Sequence, residues 1–169
     1  MIVAPDKSWV YIGPPKTAST SLHSFLKRKM GGIDYNGNQH YATILPELDQ
    51  ARIFYTVRHP LTRSLSLWKH FLNEGHSGDF DDFLRMVEEG SLSPFYTTPI
   101  SQWIGNRVRI NGTPIRVERM FEDLETVFSK LPDSPVEHLN RTYHAPYPPR
   151  DLWNKIARIW HQDIDNWYA

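Results

Sequence analysis

Trp9-Val10-Tyr11-Ile12 is a short uncharged run that stops at Gly13-Pro14-Pro15, and an apolar pattern of a different period follows it. A run of this length bounded by turn residues predicts a strand buried on both faces, the habit of parallel sheets. Beyond the turn, Leu22, Phe25, Leu26 and Met30 recur at helical spacing until Gly31-Gly32 stops them. The succession is repeated: Ala51 to Val57 is a β-rich run, and Pro60 opens a helix that ends at Gly75. In that helix Leu61, Leu65, Trp68 and Leu72 share one face, and Arg63, Ser66 and His70 share the opposite one.

Further elements follow the same logic. Asp79 to Glu89 has the spacing of a short helix, Ser91 to Pro99 that of a loop, and Gln102 to Ile104 that of a helical turn. Pro114 to Val117 is a third candidate core strand and Phe121 to Leu131 a helix. Pro132 to Arg150 is proline-rich loop, and Asp151 to Trp167 an amphipathic helix carrying Leu152, Ile156, Trp160, Ile164 and Trp167. Strands alternating with helices predict an α/β fold: a small parallel sheet, joined by right-handed crossovers and flanked by helices.

Composition bounds what such a fold can do. At 169 residues, 40% of them hydrophobic, the chain is expected to form a single domain, 1–169, with an ordinary core. Its 19 Lys and Arg balance 19 Asp and Glu. A zero balance argues against a nucleic-acid partner, which needs a basic footprint, so any anion site has to be local. Without cysteine there is no disulfide, thiolate metal site or thiol nucleophile. Met1 to Lys7 holds no apolar run, and the expectation is a cytoplasmic chain with no signal peptide and no membrane partner.

The first turn is the chemically loaded one. In Gly13-Pro14-Pro15-Lys16-Thr17-Ala18-Ser19-Thr20-Ser21 a cation and four hydroxyls stand where a helix N-terminus already attracts anions through its free N–H groups and dipole. Ser and Thr there also serve as ordinary helix caps, an equally common use. A Walker A loop needs Gly-x4-Gly-Lys-Ser/Thr; here no glycine directly precedes Lys16, so ATP or GTP hydrolysis fits poorly.

PKTASTSL nevertheless resembles the 5′-phosphosulfate loop of sulfotransferases that use 3′-phosphoadenosine-5′-phosphosulfate (PAPS), with Ala18 where that family usually has glycine. Ala tolerates positive φ poorly, so a local difference is expected there. A second segment extends the resemblance. Thr56-Val57-Arg58-His59-Pro60-Leu61-Thr62-Arg63-Ser64-Leu65-Ser66 is similar to the family's strand, Arg-x-Pro-x-x-Arg and later Ser. Weaker landmarks at Gln102-Trp103, Val117 to Leu124, Leu139 to Arg141 and Asp163 to Tyr168 carry it along most of the chain.

The resemblance implies a P-loop-like sulfotransferase architecture, nearest the carbohydrate-acting branch, with PAPS as sulfuryl donor and no metal. Lys16, Thr17, Ala18, Ser19, Thr20 and Ser21 would hold the 5′ end of the donor, Arg58 and Ser66 its 3′-phosphate, and Arg141 a further part of the nucleotide. An Arg fork after a buried strand suits a phosphate, although a polar helix stripe is more often simply solvated. Lys16 is the candidate for neutralising the leaving phosphate, and His40 for taking the acceptor proton, imidazole being suited to that task near neutral pH. His70, His59, Glu47 and Glu118 remain alternatives.

The acceptor implied is a carbohydrate or small metabolite. Relatives are often longer, which leaves a shallow acceptor cleft or walls borrowed from a second subunit in a homo-oligomer. Two other classes stay open: a PAPS-binding module without turnover, and a P-loop kinase of a small substrate.

Overall fold

A computed structural model describes residues 1–35, 46–128, 130–131 and 149–169. They form two compact units: one takes the chain up to Val57 and again from Ile100, the other takes Arg58–Pro99 and the C-terminal helices.

The first unit is a five-stranded sheet with helices. Strands β1 (Ile2–Val3), β2 (Trp9–Ile12), β3 (Ile33–Asp34), β4 (Arg52–Val57) and β5 (Thr113–Arg116) lie in the order β3-β1-β2-β4-β5. The expected parallel core is β2-β4-β5, with Val10 opposite Ile53 and Thr56 opposite Ile115. Two short strands extend it on the β2 side in antiparallel sense, so the whole sheet is mixed. β4 is buried from Ile53 to Val57, as its unbroken apolar run requires. Pro114 sits in β5, an edge strand, where a missing N–H is tolerated.

Helix α1 (Ser19–Met30) packs Leu22, Phe25 and Leu26 onto Ile2, Tyr11 and Phe54, each such side chain worth about 1.5–3 kcal/mol when fully buried. It carries no acid in its first turn and Lys27, Arg28 and Lys29 in its last, and Gly31 ends it at φ 70°. That is the left-handed turn a glycine makes without strain.

In the second unit, α2 (Pro60–Asn73), α3 (Phe80–Glu88) and the short α4 (Pro94–Thr97) enclose Leu67, Phe71, Phe83, Leu84 and Tyr96. In the first unit, α5 (Ile100–Asn111) extends well beyond the expected turn and kinks at Gly105 (φ 69°, ψ 162°). α6 (Met120–Val127) follows β5. In the second unit the expected single C-terminal helix is two, α7 (Arg150–Ile159) and α8 (His161–Trp167). The break falls at Trp160 (φ −110°, ψ 26°), whose indole is buried and donates to Ser64 Oγ at 2.8 Å.

Candidate functional site

The turn after β2 is held close to the sheet. A Cβ on Gly13 would come within 2.7 Å of Ser19 Cβ and 2.9 Å of Tyr11 Oη, so no larger residue fits there. Lys16 (φ 62°) and Ala18 (φ 56°, ψ 22°) both adopt left-handed conformations, and Thr17 between them does not. Alternation of hand along a main chain turns successive N–H groups toward one concave side, the geometry of an anion-binding nest. Ala18 is also the N-cap of α1, a residue with no side-chain oxygen to give the helix. The N-cap position that a Ser or Thr could have taken falls to Ala18.

Thr17 is turned the other way. It is fully buried, and its Oγ1 donates to the Pro14 carbonyl at 2.7 Å and lies 2.6 Å from Thr56 Oγ1. Thr56 Oγ1 in turn lies 2.9 Å from Tyr11 Oη. A hydroxyl has one proton. With Thr17 donating to Pro14, Thr56 must donate to Thr17, and Tyr11 to Thr56. Burial pushes the Tyr11 phenol well above its ordinary pKa, so the chain keeps all its protons across the working range. What Thr17 can offer an anion is its main-chain N–H, since its hydroxyl is engaged inside. Ser19 and Ser21 are largely buried and Thr20 is exposed, while Lys16 is half-buried.

The second motif lies in the other unit. Arg58 directly follows β4, and the His59 imidazole caps α2, its Nδ1 accepting from Leu61 N–H at 3.3 Å. Its ring is stacked on Trp153 at 5.4 Å and meets Tyr168 edge-on. Arg58 Nε donates to Thr62 Oγ1 at 3.2 Å, and Thr62 donates to the His59 carbonyl. Ser66 is one turn on and only 7% exposed. Arg58, Thr62, Ser66, His70 and Glu74 thus recur every four residues along one stripe.

The polar face of α2 is not a solvated stripe: Arg63 and Ser66 on it are buried. Arg63 is 1% exposed, donates to the Thr98 carbonyl at 3.0 Å and lies 3.9 Å from the buried Asp163 carboxylate. Burial lowers the Arg63 pKa to about 10; Asp163 opposes that shift and the Arg58 cation adds to it. Two guanidinium groups therefore share this end of α2.

Of the alternative bases, His70 has its Nε2 3.5 Å from Glu74 Oε1, while Tyr96 hydroxyl donates to Glu74 Oε2. Phe95 and Tyr96 rings flank the imidazole. Glu118 is exposed on the turn after β5, and Glu47 accepts from the Tyr35 hydroxyl. His40 and Arg141 lie outside the described residues, as do the strongly aromatic positions 143–147. Thr62, Glu74, Tyr11 and Thr56 were not singled out from sequence. For Thr62 and Glu74 the signal is there, four and sixteen residues after Arg58, both multiples of four; for the other two there is none. Among the described residues no cluster of His, Asp and Glu is placed to hold a metal ion, and no helix is long and apolar enough to cross a membrane.

No family model matches the chain, and no curated protein does. Among solved structures, a sulfotransferase from Alicyclobacillus acidocaldarius is similar over 71% of this chain, with 15% identity and a TM-score of 0.45. The chain spans about half of that protein, 54% of its length.

Proposed function

We propose that the chain transfers a sulfuryl group from PAPS to an acceptor hydroxyl on a carbohydrate or small metabolite. The observation that carries this reading is the turn after β2. A helix N-terminus with alanine at its N-cap, a left-handed pair at Lys16 and Ala18 and the Lys16 ammonium together make a place for a dianionic group. Lys16 and the N–H groups of Thr17, Ala18, Ser19, Thr20 and Ser21 would take its 5′-phosphosulfate and Arg58 and Ser66 its 3′-phosphate; Arg141, outside the described residues, is assigned to the nucleotide by the resemblance alone.

PAPS supplies an activated sulfuryl group on a phosphate leaving group. Such transfers are loose in-line displacements, in which positioning and charge stabilisation dominate. Lys16 and the loop N–H groups neutralise the charge that grows on the leaving oxygen, and His40 takes the proton from the acceptor hydroxyl. A second reading gives that proton to His70, favoured by one observation: Glu74 lies against its imidazole, the arrangement that orients a general base.

Calorimetry with 3′,5′-adenosine bisphosphate beside 5′-ADP tests the reading. The bisphosphate should bind at least tenfold more tightly, and Arg58→Ala should erase that preference, about 1.4 kcal/mol or more. Equal or tighter binding of ADP would favour a kinase of a small substrate. Tight bisphosphate binding without turnover on any acceptor would favour a nucleotide-binding module.

A further inference from the structure

Two L-residues, Lys16 and Ala18, stand at positive φ in one loop, where each carries a steric penalty that glycine would escape. Something has to hold them there. Between them Thr17 is the only side chain of the three fully buried, and it is fastened at two points: to the Pro14 carbonyl behind it and to Thr56 on β4. Thr56 is fastened in turn to Tyr11 on β2. All three hydroxyls are wholly out of water, where a hydrogen bond is strong and an unmade one costly.

We propose that Tyr11 and Thr56 are positioning residues for the anion-binding turn. Through Thr17 they lock Lys16 and Ala18 in the left-handed conformations that aim the loop N–H groups at a ligand. Neither would touch the ligand. The phenol and the two threonines form a one-way chain ending on Pro14, so each link depends on the next having its proton donor in place. Tyr11 has a second hold on the same turn, since its hydroxyl lies directly under Gly13. The inference rests on the proposed function only for what the loop binds; the lock is a property of the free protein.

Amide hydrogen exchange on the ligand-free chain reads the lock directly. Thr56→Val keeps the shape of the side chain but deprives Tyr11 of its acceptor and Thr17 of its donor. Exchange at the Leu22 N–H, which donates to the Ala18 carbonyl at 3.1 Å, should then rise about tenfold, the equivalent of one buried hydrogen bond. Exchange at Phe25 and Leu26, in the middle of α1, should rise by much less. Thr56→Ser keeps the hydroxyl and should match the parent. Adding Ala18→Gly to Thr56→Val should recover roughly threefold, because the left-handed penalty is removed.

The lock is refuted if Thr56→Val leaves Leu22 exchange unchanged, if Thr56→Ser behaves like valine, or if Leu22 and the mid-helix amides speed up equally. Should Thr56→Val not fold, Thr17→Val severs the same chain from the loop end and is judged on the same amides. Bisphosphate titration of the parent protein judges the sulfotransferase reading separately. A parent that does not bind overturns that reading and leaves the exchange result standing.

Discussion

The guanidinium of Arg63 lies over the Trp160 ring, 4.7 Å from its centre, and both side chains are sealed from solvent. The same indole donates to Ser64, and Asp163 completes the cluster at 3.9 Å. α2 and α8 are thus joined through a charge that water cannot reach.

Removing that charge alone should be expensive. Arg63→Met strands the buried Asp163 carboxylate, at a cost of about 3–5 kcal/mol. For a chain of this size that lowers the melting temperature by roughly 6–20 °C. Arg63→Met with Asp163→Leu should regain most of the loss in a thermal melt. A double variant as unstable as the single would show that packing on Trp160, not charge, holds the cluster.

Ala18→Gly should stabilise the protein. Ala18 sits at φ 56°, where an L-residue carries a penalty of about 1–2 kcal/mol and glycine almost none. After the entropy glycine adds to the unfolded chain, about 0.5–1 kcal/mol should remain. Calorimetry would register it as a rise of a few degrees, with bisphosphate affinity kept.

Asp123 gives a pH signature. Burial alone would raise its carboxyl pKa, but Arg116 donates to it three times, from N, Nε and Nη2, and holds it below the ordinary aspartate range. A depressed folded pKa means stability that is present above the unfolded value and disappears as the pH falls through the folded one. Asp123→Asn should therefore cost about 2 kcal/mol near neutrality. In urea melts its deficit should narrow below the usual carboxylate range; a constant deficit down to acid pH would contradict this account.

The two candidate bases predict opposite outcomes. His40→Ala should lower kcat by about 10²–10⁴ while bisphosphate affinity is unchanged, the mark of a lost general base. His70→Ala should leave kcat within a few-fold of the parent. The reverse pattern, with Glu74→Gln shifting the acidic limb of the pH–rate profile, would move the base to the His70–Glu74 pair.

What sequence alone could and could not locate follows from the range of each interaction. β2, β4 and β5 were visible because four to six consecutive residues share one environment, and the turns beside them carry glycine or proline. β1 and β3, two residues each, are too short for any period to register. The break at Trp160 was hidden because its cause, a bond to Ser64, lies 96 residues away. Arg58 and Ser66 were legible because spacing along a helix is local. That the same face is buried was not, since burial depends on α8 and on Thr98. The Tyr11–Thr56–Thr17 chain shows the limit most clearly: each residue looks like an ordinary strand or loop position, and only folding brings 45 residues of separation to 2.9 Å.

Helix α1 ends in Lys27, Arg28 and Lys29 and begins without a single acid. Cations at the last turn, Lys27 among them paired with Asp34, offset the negative pole of the peptide dipoles, and no carboxylate of the first turn offsets the positive one. The imbalance leaves the positive pole acting on whatever comes up to the first turn, within about one turn of the helix end. A chain with no net charge can in this manner still draw anions toward one place, and their capture rate there should fall as salt screens that pole.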